Sequence, residues 1–140
     1  TGEANRWNST TPTASVFSLG TSGSVNGGSD KYIAYLFATV AGVSKVGSFT
    51  QGSSSQTIDC GFSSGARFVL IKRTDGTNNW LVFDSVRGIV SGNDPFLKLD
   101  NTNAQETNDD IIDPHSSGFI VNTVTDWTEN GQSFIFYAIA

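Results

Sequence analysis

Hydrophobic residues fall into short runs of four to eight, separated by turns rich in Gly, Ser, Asn and Asp. No run keeps the 3.6-residue apolar period of an amphipathic helix, so we predict no long helix. The two strongest runs are 67–73, in the middle of the chain, and 133–140, at its end. Both are apolar on the two sides of a pleated strand, which predicts central strands with both faces covered.

Weaker runs predict the other strands. They cover 16–19, 31–38, 45–50, 56–60, 79–84, 96–99, 111–112 and 118–122. We expect 45–50 to pair with 56–60 as a hairpin, and the Asp75-Gly76 turn predicts a hairpin between 67–73 and 79–84. Many short strands with turn residues between them are typical of an all-β sandwich or barrel.

The final run has an earlier counterpart, Lys31–Ala38, which we call the first copy. A gapless offset of 102 residues aligns Tyr32 with Phe134, Ile33 with Ile135, Tyr35 with Tyr137, Pro12 with Pro114, and Phe17 with Phe119. This internal repeat predicts that 39–140 is a complete unit and that 1–38 is the C-terminal part of a preceding one. We expect the first copy to join a sheet, in this chain or in a neighbouring subunit, because an unpaired apolar edge promotes aggregation.

Composition agrees with short strands and excludes some functions. Charged residues are only 15% of the chain, against 37% hydrophobic, and the net charge is −5. An acidic chain without a Lys/Arg cluster is not expected to bind nucleic acid. Apolar runs of about eight residues are too short for a membrane-spanning helix. The chain begins with Thr1 and contains no Met, which indicates a fragment or a processed chain.

Several segments together resemble a known family. They are Val46–Thr50, Thr57–Phe62, Phe68–Asp75, Trp80–Gly88, Asp113–Phe119 and the closing run. They resemble a domain of unknown function that recurs in tail-fibre-like and other virion proteins of marine bacteriophages, especially cyanophages. The resemblance implies a phage structural protein and, by analogy of fold, a lectin-like jelly-roll sandwich. We therefore expect an all-β, antiparallel sandwich of jelly-roll architecture.

Four residues are candidates for ligand binding. Asp84 and Arg87 lie in the most motif-like loop, where they either lock the loop or form a polar ligand site. Trp127 lies among polar residues, where an exposed ring would stack on a sugar or fill a subunit interface. Trp80 lies in a strand beside Val82 and is expected to be core or half-buried.

Other candidates for chemistry are weaker. His115 is the single histidine, and its neighbours Asp113 and Ser117 do not by their sequence spacing make a catalytic triad. Cys60 is expected to be a small buried hydrophobic residue, and no internal disulfide is available to it. Acidic residues cluster in one polar loop, which is a solvated surface, a Ca²⁺ site or a pair of catalytic carboxylates. These residues are Glu106, Asp109, Asp110 and Asp113.

The leading hypothesis is a non-enzymatic virion protein without a cofactor. It would act as a tail-fibre or host-recognition module that binds cell-surface glycan or protein and assembles with other virion subunits as a homotrimer. The alternative is a capsid decoration protein or another architectural protein of the particle. An enzyme acting on host polysaccharide is the third reading. Each places the protein in the virion, assembled in the host cytoplasm and extracellular in the particle.

Overall fold

The structure is a computed structural model and describes residues 4–140. The chain divides into two compact units, Thr1–Leu36 (unit 1) and Phe37–Ala140 (unit 2). In its described residues, unit 1 has two short helices, α1 (Ala4–Trp7) and α2 (Gly23–Asn26). Unit 2 has strands β1 (Ser44–Thr50), β2 (Gln56–Asp59), β3 (Phe68–Arg73), β4 (Trp80–Asp84), β5 (Asp94–Lys98), β6 (Glu106–Asp109), β7 (Ile112–His115), β8 (Gly118–Val121) and β9 (Ser133–Ile139).

The strands of unit 2 form two antiparallel sheets. The large sheet has the order β1-β9-β3-β4-β5-β6, and the small sheet has the order β2-β8-β7. Consecutive strands β3 to β6 form a meander, and β9 enters the large sheet between β1 and β3. The predicted all-β, antiparallel sandwich with little helix is confirmed.

The inward faces of the two sheets share one core. Phe136 on β9 contacts Phe119 on β8 edge to face, with ring centroids 5.5 Å apart. Phe83, Phe96 and Phe119 have no exposed surface. Burying a large apolar side chain contributes roughly 1.5–3 kcal/mol. This aromatic core therefore supplies much of the stability of the sandwich.

The closing strand is central, as predicted, but its two faces are not packed equally. Phe136 lies opposite Gly47 on β1 and Ile71 on β3. Burial alternates along β9: Phe134 is 3% exposed, whereas Ile135 is 42% exposed.

On the outward face, Tyr137 stacks on Phe37 with ring centroids 4.4 Å apart and meets Phe68 edge to face at 6.2 Å, while Ile135 stays exposed. The prediction that both faces of this strand are covered is therefore only partly confirmed within this chain. The reason is that the small sheet covers only the inward side of the large one.

The first copy, Lys31–Ala38, is not a strand, and neither is 16–19. Both predictions are wrong for this chain. The counterpart of the first copy, β9, is held by β1 on one side and by β3 on the other, and the counterpart of 16–19, β8, is held by β2 and β7. Residues 4–30 contain no strand that would take those positions. Hydrophobic pattern alone does not stabilise a strand whose backbone donors and acceptors lack partners.

Pairing between β1 and β2 is a second correction. The two strands follow each other in sequence, but β1 pairs with β9 and β2 pairs with β8 in the other sheet. The turn between them therefore passes from the large sheet to the small sheet at one end of the sandwich, and Gln51 in that turn is only 1% exposed. The predicted hairpin of β3 and β4 is confirmed.

β6 was not predicted, because it lies within a polar stretch. Its residues are at most half-buried, so no apolar alternation marks it. It pairs with β5, where Glu106 lies opposite Phe96 and Asp109 opposite Asp94. As the last strand of the large sheet it has one free side, and charged residues on such an edge oppose pairing with another chain.

At the other edge of the large sheet, residues before β1 cover part of its free side. The Thr39 hydroxyl accepts the backbone N–H of Val46 at 3.1 Å and lies 3.5 Å from the Val46 carbonyl. Val40 exchanges backbone hydrogen bonds of 2.9 Å with Ser44. The backbone hydrogen-bonding groups of Ser44 and Val46 at the start of β1 therefore have partners without a further strand.

Unit 1 is small and has little interior. Ser22 caps α2, with its Oγ accepting the Ser24 N–H at 3.3 Å. The Tyr32 hydroxyl donates to the Gly23 carbonyl at 2.6 Å and accepts the Gly27 N–H at 2.8 Å. Among residues 4–36 only Gly20 is buried. Local hydrogen bonds, rather than a core, therefore organise this unit.

Candidate functional site

One end of the sandwich gathers four connections, which we call the loop rim. It consists of 51–55 after β1, 74–79 between β3 and β4, 99–105 after β5, and 123–131 between β8 and β9. Strand register places them together, because Arg73 lies opposite Phe134 and Ser133 lies opposite Thr50. Loops presented by a rigid scaffold are common positions for binding residues.

The turn 74–79 is fixed at its base by Asp75. Its Oδ1 accepts Arg73 Nε at 2.6 Å, and its Oδ2 accepts the backbone N–H of Ser133 at 3.0 Å. The hydrogen bond from Arg73, followed by that from Ser133, lowers the pKa of Asp75 below its usual value. The carboxylate therefore joins the turn to the first residue of β9.

Two asparagines of the same turn reach the neighbouring connections. Asn78 Nδ2 donates to the Asp126 carbonyl at 2.6 Å, and Asn79 Nδ2 donates to Asp100 Oδ1 at 3.0 Å. Asp126 has a positive φ of 71°, a conformation that Asp tolerates better than most residues. Three of the four connections are thus linked directly by side chains.

The fourth connection is linked through Gln51. Its buried Nε2 donates to Thr123 Oγ1 at 2.9 Å, and its Oε1 accepts Gln56 Nε2 at 2.9 Å. The Thr123 hydroxyl donates to the Gly52 carbonyl at 3.2 Å. The rim is therefore a single hydrogen-bonded assembly, whose geometry does not have to form when a ligand arrives.

Trp127 is half-buried at this end rather than freely exposed. Its Nε1 donates to Asp109 Oδ2 at 3.1 Å, and its ring meets Phe96 edge to face at 5.3 Å. Lys98 Nζ lies 4.8 Å from the ring centroid and also pairs with Glu106. Lys98 thus occupies a face that a sugar would need, and the ring packs against the core.

The four predicted ligand residues do not form one site. Trp80 begins β4, on the outward face beside Lys72, whereas Trp127 contacts the inward Phe96. Asp84 ends the same strand, so it lies about 13 Å from Trp80. Only the two tryptophans lie toward the loop rim, and they are on opposite faces of the large sheet.

The loop that follows β4 has the geometry of a locked turn. Asp84 Oδ1 accepts the backbone N–H groups of Val86 at 3.0 Å and Arg87 at 2.9 Å, and Oδ2 pairs with the Arg87 guanidinium. Desolvation raises the pKa of Asp84, but the hydrogen bonds and charge of Arg87 outweigh it and leave the pKa lowered. Of the two readings of this pair, the loop-locking contacts are the ones present.

Of the acidic residues of 106–113, Glu106 pairs with Lys98, and the three aspartates accept hydrogen bonds from neutral partners. Asn122 Nδ2 donates to Asp110 Oδ1 at 2.8 Å and to Asp113 Oδ2 at 2.9 Å. Asp109 accepts from Trp127, as described above. Within residues 4–140, no three His, Cys, Asp or Glu side chains are arranged to hold a metal ion.

Asp94 is a buried carboxyl that sequence reasoning missed. It has no exposed surface, and it accepts the backbone N–H groups of Ile112 at 2.9 Å and Val90 at 3.3 Å. Burial raises its pKa from 3.8 to about 6, partly offset by these bonds and reinforced by the charge of Asp110. The only sequence signal is an Asp at the start of an apolar strand, which usually indicates a turn.

His115 and Cys60 have structural surroundings. His115 Nδ1 lies 3.1 Å from Ser117 Oγ, while Asp113 hydrogen bonds to Asn122 instead of the imidazole. Cys60 is 7% exposed and packs in the core. Burial raises the pKa of its thiol to about 11, with a smaller lowering by Lys45 and a further rise from Asp59.

Unit 1 carries a feature of its own, a concavity of about 540 Å³. Its walls are mainly aromatic and aliphatic, and they include Trp7, Phe17, Tyr32 and Tyr35. None of the side chains that line it is charged. The predicted site residues all lie elsewhere, in unit 2.

A search for long apolar helices among residues 4–140 finds none that would cross a membrane. A family model described as a domain of unknown function, DUF7483, matches residues 1–140. No curated protein and no solved structure matches the chain.

Proposed function

The chain belongs to the DUF7483 family, and on that premise we propose that it is a non-enzymatic domain of a bacteriophage virion that recognises the host surface. The resemblance to tail-fibre-like proteins of marine phages supplies the phage context. The ligand would be a surface glycan or protein, and the particle would carry the domain as a homotrimer among other virion subunits.

The loop rim is the observation that carries this proposal. Its four connections are joined by the side chains of Asp75, Asn78, Asn79 and Gln51, so the surface is already ordered. Exposed residues on it are mostly Thr, Asn, Asp and Gly, which offer hydrogen bonds to hydroxyl and amide groups. A pre-ordered polar surface loses little entropy when it binds such a partner.

The net charge restricts the ligand. At −5 the chain would be repelled by strongly anionic polysaccharide unless cations screen the charge. We therefore favour a neutral glycan or a protein with a basic surface. Lys98 and Phe96 contact the Trp127 ring, so its role in this proposal is to hold the connection 123–131 against the core and not to contact the ligand.

The proposal is tested by measuring binding of the whole chain to host cells and to an array of their surface glycans. Thr77→Lys alters an exposed residue of the rim, and Ser91→Lys makes the same change of charge at the other end of the sandwich. We expect the first variant to reduce binding at least tenfold and the second to leave it unchanged. Equal effects of the two variants would refute a site on the rim.

The alternative is a decoration or architectural protein of the capsid. It is favoured by the amount of exposed apolar surface, which suits permanent contacts between subunits better than reversible recognition. Ile33 is 81% exposed and Tyr35 is 79% exposed. Attachment to purified capsids without binding to host cells would support this alternative, and labelled-antibody electron microscopy of intact particles would locate the protein.

A further inference from the structure

Unit 1 exposes an unusual number of large apolar side chains for its size. Within residues 4–36, eight of them are at least 38% exposed, and seven of the eight line the same concavity. Because an aromatic side chain carries about 150–250 Å² of surface, these seven leave roughly 800 Å² open. The largest apolar patch on a typical monomer is about 300–600 Å².

Residues 1–36 contain no Cys and no His, and their only carboxylates are Glu3 and Asp30. The exposed apolar side chains of unit 1 are therefore not held in place by a disulfide or a structural metal formed among these residues.

We propose that the aromatic concavity of unit 1 is an interface that is completed by a second copy of this chain. The seven side chains together expose roughly 800 Å², within the concavity and around it, which is comparable to what one partner contributes to a stable protein interface of standard size. A small apolar ligand would fill the 540 Å³ hollow but would leave the projecting side chains in water.

Charge is the reason that an identical chain fits. Two copies with a net charge of −5 repel each other, so their contact is best placed where charge is absent. The concavity meets this condition, since no charged side chain lines it. A partner with a basic surface would gain nothing from an uncharged patch and would be directed elsewhere on the chain.

Shape gives a second reason. Ile33 and Tyr35 project from the concavity, with 81% and 79% of their surface exposed, while Trp7 and Phe17 lie in its wall. One copy thus offers both a hollow and the side chains to fill a hollow in the next copy. Contacts of this head-to-tail kind generate a closed ring when the rotation between copies closes, as in a trimer, and an open filament when it does not. This proposal rests on the proposed function only in taking the protein to be a homo-oligomer. It adds the surface through which the copies contact each other.

The test is the oligomeric state of the full chain by sedimentation velocity over a range of concentrations. The double variant Ile33→Ser/Tyr35→Ser removes the projecting side chains. The matched control, Val86→Ser/Leu99→Ser, removes two apolar side chains that are 92% and 65% exposed on unit 2. We expect the wild type and the control to form the same oligomer and the double variant to associate at least tenfold more weakly.

Three results would overturn the inference. One is a wild type that stays monomeric up to about 0.1 mM, a concentration at which even weak interfaces are populated. Another is a monomer whose Ile33–Leu36 amides are protected from hydrogen exchange, which would mean that the same chain covers them. A third is equal association of the double variant and the control. A monomeric wild type that still binds host cells would refute this inference alone, and an oligomer without host binding would refute the proposed function alone.

Discussion

The closing strand and the first copy have a similar order of aromatic and aliphatic residues, with Phe136 replaced by Ala34, but different environments. In β9, Phe134, Phe136 and Ala138 are at most 6% exposed. In the first copy, the counterparts of Phe134 and Ala138 are Tyr32 and Leu36, which are 47% and 76% exposed, and no strand forms. The difference lies in what flanks each segment: β9 has β1 and β3 as neighbours, and residues 4–30 contain no strand at all.

This contrast shows what an apolar pattern specifies by itself. A strand is stabilised mainly by adjacent strands, through backbone hydrogen bonds and through contacts between their side chains. Phe49 illustrates this, because it lies opposite Phe134 with ring centroids 5.1 Å apart. The first copy has aromatic residues at two of the three equivalent positions, Tyr32 and Tyr35, but no opposing strand pairs with them.

The two segments should differ most in the loss of unfolding free energy that follows truncation of an aromatic side chain. Phe136→Ala would leave a cavity between the sheets and lower the free energy of unfolding of the sandwich by about 3–5 kcal/mol. Tyr35→Ala, in the exposed first copy, would lower it by less than about 0.5 kcal/mol. Urea unfolding at a protein concentration low enough to keep the chain monomeric measures both. Similar losses for the two variants would contradict the contrast.

The next largest effect is expected from Asp94, a carboxyl that is buried in the sandwich. The pKa of Asp94 is about 6 in the folded sandwich, against the usual value of 3.8 expected in the unfolded chain, so the folded state binds the proton more tightly. Stability should therefore rise as the pH falls from 7 through 6 toward 4, by at most about 3 kcal/mol. Urea unfolding at pH 7 and pH 5 measures this rise.

Asp94→Asn should abolish most of that dependence on pH. Asp75 and Asp84 act in the opposite sense, because their lowered pKa values stabilise the fold above the usual Asp range and cease to do so in stronger acid. Their contribution thus lies below the pH window of Asp94. A wild type whose stability falls between pH 7 and pH 5 would show that Asp94 is not buried as described.

A smaller effect is expected where β1 meets the closing strand. A Cβ atom on Gly47 would lie 2.6 Å from the Phe136 ring, so this strand approaches β9 only because the side chain is absent. Gly47→Ala should therefore force the ring to move and cost about 1–3 kcal/mol. Ser48→Ala, whose side chain points outward, serves as the control in the same thermal unfolding experiment. Unchanged stability of the Gly47 variant would mean that the two strands are not packed this closely.

The smallest effect concerns the junction just after the first copy. Thr39→Val keeps the shape of the side chain but removes its hydrogen bond to the Val46 N–H. We expect a loss of about 1 kcal/mol, together with faster hydrogen exchange at Val46. Thr77→Val, in an exposed turn, should change neither quantity. Equal exchange rates at Val46 in the wild type and the Thr39 variant would show that the edge of β1 is not covered in this way.

The sequence predicted the strands of unit 2 well, because their apolar alternation is local. Seven of the nine strands of the sandwich overlap a predicted run over most of their length, whereas β7 shares only Ile112 with the predicted 111–112 and the polar edge strand β6 was missed. Pairing was less predictable. β1 and β2 follow each other closely but join different sheets, because their partners β9 and β8 come much later in the chain.

The candidate site was predictable only in part. Asp84 and Arg87 were recognised as a loop pair because they are close in sequence. The loop rim was not, because its links join residues far apart, such as Asn78 with Asp126 and Gln51 with Thr123. The burial of Asp94 was hidden for the same reason, since its partner Ile112 lies in another strand.

The sequence by itself determined the all-β class, the acidic charge and the two similar apolar segments, since these follow from residue types and their local spacing. Tertiary structure decided which of the two segments becomes a strand, which loops form the rim, and which face of the large sheet is packed. These outcomes depend on hydrogen bonds and contacts between residues that are distant in the chain, and no local pattern encodes them. The closing strand is therefore a strand because of β1 and β3, and the first copy, with a similar pattern, is left largely exposed without such neighbours.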